Sequence, residues 1–426
     1  MPAFILEDAV VDGFAGPGGW SEGLRLLGLR DIGLEWDWHA CKTRAAAGHL
    51  TIQCDIAKYP TAPFKGRVRK QIWSPPCQAW SRAGKGLGLI DQPLVHQAVH
   101  DLAHGRDTRT KLLTDCKDER SLLAAEPMRW LYDLRPEWVC MEEVPDVLPL
   151  WKQYAEYLRA WGYSAWAGIL NAADYGVPQT RRRAILIASR ERAVSAPEPT
   201  HAEQAEEATL FGAGRARWVS MAEALGWLAG QVVNTRGDRK TAGGNEFPAD
   251  GPSWCLTEKA RSWALRNGNQ PRAAIRSSDE PAPTMAFGNN SARVEWVLRN
   301  GTQTNAAVRS LDQPAGTLFF GARCNDVSWV RERPATTVCA TDRIAPPGHR
   351  DRSPGGESQF ASPDTVRISE AEAAVLQSFR ADYPWQGSKT KRFQQIGNAV
   401  PPLLAAHIVS AATGIPVPAT ALAAAA

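Results

Sequence analysis

Ala9-Val10-Val11-Asp12-Gly13-Phe14-Ala15-Gly16-Pro17-Gly18-Gly19-Trp20 is the stretch whose reading decides the fold. Ala9-Val10-Val11-Asp12 reads as a short buried strand, and the glycines after it as a tight turn into a helix that begins near Trp20. Further strand candidates at Ile32 to Trp36, Gln71 to Trp73, Trp138 to Met141 and Ala184 to Ala188 alternate with helical stretches at Leu122 to Asp133 and Leu150 to Trp161. Such alternation predicts a parallel sheet covered by helices.

With 426 residues, 44% of them hydrophobic, the chain can bury a large core and has the length of two or three domains. A formal charge of +4 is too mild to announce a nucleic-acid partner, although a modest total can hide a basic face. The eight cysteines form no Cys-x-x-Cys pair and no His/Cys cluster at zinc-like spacing, so they read as reduced thiols and no metal is expected. No signal-peptide pattern opens the chain and no apolar run approaches a membrane span, which leads us to expect a cytoplasmic protein with no membrane partner.

From about Ser195 to Glu207 the composition turns to Ala, Glu and Pro, as in a connector. Beyond it the chain repeats itself. Trp263-Ala264-Leu265-Arg266-Asn267-Gly268 returns 33 positions later as Trp296-Val297-Leu298-Arg299-Asn300-Gly301, and Asp279/Asp312, Pro281/Pro314, Thr284/Thr317 and Phe287-Gly288/Phe320-Gly321 keep step. Short β-prone runs split by Asn-Gly, Asp and Pro predict hairpins in each unit, and units of this length stack in arrays. Arg266, Asn267, Arg299 and Asn300 are candidate DNA contacts, because Arg reads guanine edges and phosphates and Asn reads adenine. A sheet-and-helix pattern returns at Ile368 to Phe379 and leads to an apolar helix at Leu403 to Ala412. The expected organisation is a first part of a catalytic, cofactor-binding domain at 1–195, a linker at 196–216, a repeat-containing domain at 217–362, a return segment at 363–413 and a disordered tail at 414–426.

Around the turn, several motifs occur in a fixed order: Ser74-Pro75-Pro76-Cys77-Gln78-Ala79-Trp80-Ser81, then Glu142, then Gln179-Thr180-Arg181-Arg182-Arg183, then Gly397-Asn398-Ala399-Val400-Pro401-Pro402. Singly, each has an ordinary structural explanation. Together they make the chain resemble the DNA (cytosine-5) methyltransferase family over roughly residues 8 to 190 and 366 to 409. The resemblance implies an α/β fold: a Rossmann-like S-adenosylmethionine-dependent methyltransferase domain on a mixed, mostly parallel sheet, with an inserted, mainly β target-recognition domain.

A glycine-rich turn between strand and helix lets backbone approach a ligand closely, and the absence of a following Gly-Lys-Ser/Thr removes the phosphate-loop reading. An acidic residue at a strand end, as in Glu35, can accept from ribose hydroxyls. Trp36 can stack on adenine, and Asp55-Ile56 would flank the purine. In the family, positions matching Phe14, Glu35, Trp36, Asp55 and Asn398 hold S-adenosylmethionine; Ala15, Gly16, Gly18, Gly19, Ile56, Pro76, Ala399 and Val400 complete the expected site, with Leu123 as an apolar residue on the methionine side.

C5 of cytosine is a poor nucleophile, so methylation there needs a thiolate to add at C6. The resemblance gives that role to Cys77, assigns Glu142 as the acid at N3, and matches Arg183 to a residue that hydrogen-bonds O2, with Arg181 in support. Where the family usually has Glu-Asn-Val, this chain reads Glu142-Glu143-Val144. Gln78, Ser81, Arg82 and Lys85 lie in a glycine-rich basic loop suited to a mobile lid over DNA. His96, His100 and His104, four apart, form a stripe on one helix face, read as solvated or phosphate-facing because no acidic or Cys ligand joins them.

The expected reaction is methyl transfer to C5 of a flipped cytosine in a specific sequence of double-stranded DNA, by a monomer, with a cognate restriction endonuclease as a partner left open. The alternatives are a catalytically inactive DNA-binding module, a cytosine-N4 methyltransferase, since Ser74-Pro75-Pro76 begins like that family's motif, and a tRNA methyltransferase.

Overall fold

The computed structural model describes residues 9–76, 80, 87–209, 213–226, 231–234, 246–248, 251–256, 264–267, 296–300, 308–310, 327–331, 366–367 and 369–419. The chain divides into two compact units. One comprises Met1–Ala229, Phe247–Trp263 and Ile368–Ala426, the other Gly230–Glu246 and Ala264–Arg367.

The first unit contains, besides shorter pairings, β1 (Ala9–Gly13), β2 (Arg30–Glu35), β3 (Leu50–Gln53), β4 (Lys70–Trp73), β5 (Trp138–Glu143), β6 (Ser164–Asn171), β7 (Gln179–Thr180) and β8 (Arg182–Ser189). Seven of them form one sheet in the order β3-β2-β1-β4-β5-β8-β6. The first five run parallel; β8 is antiparallel to both β5 and β6. Strands β1 and β5 are buried along their whole length, as parallel strands covered on both faces must be.

Helices α1 (Gly19–Leu26), α2 (Trp38–Ala46), α3 (Leu87–Ala103), α4 (Arg109–Leu113), α5 (Glu126–Leu134), α6 (Leu148–Ala160), α7 (Met221–Leu225), α8 (Glu370–Leu376), α9 (Lys389–Asn398) and α10 (Pro402–Thr413) complete the unit. Side chains alternate across the sheet, so Val11, Trp73 and Met141 join one core with Val99 of α3, Met128 of α5 and Trp151 of α6. Val10, Ile72 and Cys140 join the other with Trp20 and Leu24 of α1 and Leu404 and Ile408 of α10.

Several expectations need correction. The helix expected over Leu122 to Asp133 is a 3-10 segment, Glu119–Ala125, followed by α5. The 196–216 connector contains structure: His201–Ala202 pairs in parallel with Ala216–Arg217, and Glu206 bridges Arg215. The tail is packed beyond 413, since Ile415 and Val417 rest on the second core; residues 420–426 lie outside the described ones. Lys389–Thr413 does reach the length and hydropathy of a membrane span. Its apolar part is core instead, because α10 is buried against α1 and the sheet, and the chain breaks between α9 and α10 at Ala399 to Pro401.

His96 and His100 lie on α3 and pack against α6 instead of facing solvent, while His104 follows the end of the helix. His96 Nδ1 is 2.6 Å from Gln153 Oε1, His100 Nδ1 is 2.7 Å from the Tyr157 hydroxyl, and only His104 is exposed. No group of His, Cys, Asp and Glu among the described residues has the makings of a metal site.

The second unit shows antiparallel strands. Ala264–Asn267 pairs with Gln231–Asn234 and Val366–Arg367, and Trp296–Asn300 lies between Val308–Ser310 and Val327–Arg331. The equivalent stretches Ala264–Asn267 and Trp296–Asn300 of the repeat thus both form strands, in two different sheets.

Helix α1 starts hard against the turn before α10: a Cβ on Gly19 would come within 2.1 Å of the Val400 carbonyl oxygen. Backbone cannot yield as a side-chain tip can. We expect Gly19→Ala to lower unfolding free energy by about 1–3 kcal/mol, read as a lower urea midpoint, whereas Gly28→Ala, at a positive φ but in open space, should cost less.

Candidate functional site

The carboxyl ends of the parallel strands converge where the strand order reverses between β1 and β4, the usual position for a ligand crevice in an open α/β sheet. The turn after β1 enters it through left-handed backbone at Phe14 (φ 60°), Gly16 (φ 54°) and Gly18 (φ 110°). Phe14 has a side chain in a region that favours glycine, and its ring meets Trp73 edge-on at 6.4 Å. At the end of β2, Glu35 Oε2 accepts from Gly16 N at 2.7 Å, and Oε1 accepts from Trp36 N at 2.8 Å and Asp37 N at 2.7 Å. Loss of solvent pushes the Glu35 carboxyl up, against the pull of these three N–H groups.

Asp37 caps α2 and pairs with Lys391 of α9 at 3.3 Å. Trp36 is 69% exposed, one residue from the Glu35 contact, and leaves a face on which a planar base can stack. After β3, Asp55 caps its own turn through Ala57 N at 3.1 Å, while Ile56 is buried. Ser74 Oγ accepts from Trp20 Nε1 at 2.8 Å, tying the loop after β4 to the start of α1. Of the rest, Ala15, Gly18, Gly19, Ala399 and Val400 are buried, Pro76 and Leu123 half-buried and Asn398 exposed.

On the other side of β4, Glu142 is the last residue but one of β5 and Arg183 the second of β8, so the antiparallel pairing brings both to one edge of the sheet. Arg183 Nε stands 2.9 Å from Glu142 Oε1. Arg181, fully buried, donates from Nη1 to Gly397 O at 2.9 Å. Gln179 is a clamp: its Oε1 accepts from Leu256 N at 3.1 Å and its Nε2 donates to Gln377 Oε1 at 2.7 Å. Gln377 in turn donates to Ile396 O and Ala399 O. Beside β7, Ser253–Trp254 adds a parallel strand, which carries Cys255 to the arginines: its Sγ is 3.5 Å from Arg181 Nη1 and 3.5 Å from Arg183 Nη2. Sequence reading missed Cys255, Gln377 and Lys391, since each lies far along the chain from its partner and belongs to no motif quoted above.

Cys77, Gln78, Ser81, Arg82 and Lys85 lie outside the described residues, as do the side chains of Arg266, Asn267, Arg299 and Asn300.

The family model for C-5 cytosine-specific DNA methylase matches residues 9–413. The chain belongs to that family. Among curated relatives, Type II methyltransferase M1.HphI of Haemophilus parahaemolyticus is 24% identical over 96% of this chain and 87% of its own length. Type II methyltransferase M.AquIA of Picosynechococcus is 26% identical over 49% of this chain and 83% of its own. A solved structure of the S. pombe Dnmt2 methyltransferase aligns with a TM-score of 0.49 at 13% identity, covering 95% of this chain and 98% of that one.

This C-5 cytosine methylase therefore uses S-adenosylmethionine as methyl donor and DNA as substrate. Its strand-end edge fits the donor on its own chemistry: a carboxylate at the end of β2, an open indole beside it and a turn whose left-handed residues bring backbone forward.

The departure at Glu143 has a physical form. Glu143 is buried behind Glu142, Val144 N donates to its Oε2, and its Oε1 has no hydrogen-bond partner among the described residues. Burial, then the neighbouring Glu142, push its carboxyl well above the usual range, with Arg183 and Arg181 pulling the other way. Burial thus favours the uncharged form of Glu143, which is closer to an amide than to a second anion. A group whose folded pKa is raised favours folding most at acid pH and loses that contribution as pH rises. Glu143→Gln should therefore raise the denaturation midpoint at pH 8 by the equivalent of about 1 kcal/mol or more. The gain should vanish as pH falls to the ordinary glutamate range; a constant gain at all pH values would contradict a titrating Glu143.

Proposed function

We propose that this protein methylates C5 of cytosine within one short sequence of double-stranded DNA, through a transient bond between the Cys77 sulfur and C6 of a base rotated out of the helix. The observation that carries the reading is the Glu142–Arg183 pair at 2.9 Å on the same strand-end edge as the Pro76 loop and the β1 turn. An acid beside a guanidinium is the arrangement that a cytosine edge requires, the acid donating at N3 and the guanidinium at O2.

In this mechanism the Cys77 thiolate adds to C6, forming the S–C6 bond while Glu142 donates a hydrogen bond or proton at N3. Electron density moves to C5. S-adenosylmethionine supplies the methyl group that C5 takes. A base then removes the C5 proton, the electron pair restores the C5–C6 double bond, and the S–C6 bond breaks to return Cys77. Arg183, with Arg181 beside it, fixes the base through O2, and the loop carrying Gln78, Ser81, Arg82 and Lys85 closes over the DNA to exclude water.

Two features favour a sequence-specific target over an undirected one. The repeat sets Arg266-Asn267 and Arg299-Asn300 at equivalent positions of two strands, and the curated relatives are named Type II methyltransferases. The modification would shield that sequence from a cognate endonuclease.

The test is cytosine-conversion sequencing of unmethylated genomic DNA after incubation with wild type, Cys77→Ala and Glu142→Gln. Wild type should protect cytosines in one short motif. Cys77→Ala should protect none, and Glu142→Gln should transfer methyl groups about 10²–10⁴-fold more slowly. Activity that survives Cys77→Ala would sink the covalent step and point to amino-group methylation.

A further inference from the structure

We propose that Cys255 is a positioning residue of the cytosine pocket: its sulfur bridges the guanidiniums of Arg181 and Arg183 and holds Arg183 in register with Glu142. This rests on the reading of Glu142 and Arg183 given above.

Every nitrogen of the Arg183 guanidinium has a direction. Nε faces Glu142 Oε1 at 2.9 Å, Nη1 donates to Arg182 O at 2.8 Å, and Nη2 donates to Cys255 Sγ at 3.5 Å. Removing the sulfur takes away the Nη2 contact at the far edge of the fork and loosens the guanidinium there. The sulfur is itself held. Leu256 N donates to Gln179 Oε1 at 3.1 Å, Ser253 N donates to Pro178 O at 2.8 Å, and the Ser253–Trp254 ladder with β7 fixes the backbone before Cys255.

Two guanidiniums converge on the sulfur. Arg181 and Arg183 bring two positive charges, and Glu142, Glu143 and Cys255 are among the ionisable groups facing them. Burial raises the Cys255 thiol, but Arg183 and Arg181, by charge and by hydrogen bond, outweigh it and hold the thiol below its ordinary value. A thiolate accepts hydrogen bonds far better than a thiol, so the bridge is strongest in the ionised form and weakens as pH falls through the Cys255 pKa.

The first measurement needs no activity. In Cys77→Ser protein, alkylation of Cys255 by iodoacetamide is followed against pH by peptide mass spectrometry, with and without Arg181→Met. The midpoint should lie below the ordinary cysteine value of about 8.5 and rise in the Arg181 variant; a midpoint at or above the ordinary value in both overturns the bridge.

The second is single-turnover methyl transfer with otherwise wild-type protein at saturating DNA and donor. Cys255→Ala should slow transfer about tenfold to a hundredfold with donor affinity within about twofold. Cys255→Ser should fall between, and the acid limb of the wild-type profile, at the alkylation midpoint, should be missing in Cys255→Ala. Rates and pH profiles in both variants that superimpose on wild type overturn the positioning role. Wild-type protein that transfers nothing to cytosine while Cys255 alkylates with a lowered midpoint overturns the proposed function and keeps the sulfur–arginine bridge.

Discussion

A buried ion pair organises the half of the sheet that builds the donor site. Arg44 of α2 is fully buried; its Nη2 meets Asp31 at 2.6 Å, and its other nitrogens reach Ser21 Oγ at 2.8 Å and Thr51 Oγ1 at 2.9 Å. One guanidinium thus joins α1, α2, β2 and β3, and it lies 3.8 Å from Asp12 of β1. The group lies directly over Gly33, where a Cβ would fall 2.2 Å from Nη2. Stripping a charge of water costs several kcal/mol, which the geometry and satisfied donors must offset. Because these contacts fix the relative heights of β1, β2 and β3, they also fix where the glycine turn, Glu35 and Asp55 emerge.

The other half depends on reversal of direction. Had β8 run parallel to its neighbours, Arg183 would sit at the far edge of the sheet from Glu142. Running antiparallel, it opposes Glu142 with Ile185 and leaves Arg183 just beyond, within reach of the carboxylate. The Gln179–Gln377 clamp then holds the approach to β8 against the segment between α9 and α10, which also abuts Gly19. The donor-side turn and the arginines are therefore coupled through packed backbone.

Legibility followed the locality of the signal. The strand-turn-helix opening, β2, β4, β5, β8 and α10 could be read because burial writes continuous apolar runs into the sequence, whereas β3 and β6, at the two edges of the sheet, are half-exposed and carry no such run. The 3-10 break before α5 could not, since its apolar spacing matches that of a helix. The histidine stripe shows the limit of one-element reasoning: four-residue spacing correctly put His96 and His100 on one helix face, but whether that face met water or α6 was not a property of α3. Glu143 is similar, for its burial is set by what covers β5.

By itself the sequence determined the α/β class and the family through its ordered motifs, because those depend on local periodicity and on short contiguous patterns. Only the tertiary structure decided that Glu143 is buried with its carboxyl pushed up, that His96 and His100 pack on α6, and that Cys255 lies between two arginines more than seventy positions away. The reason is that charge state and neighbourhood follow from the solvent excluded by distant segments, and no local pattern along a chain encodes that exclusion.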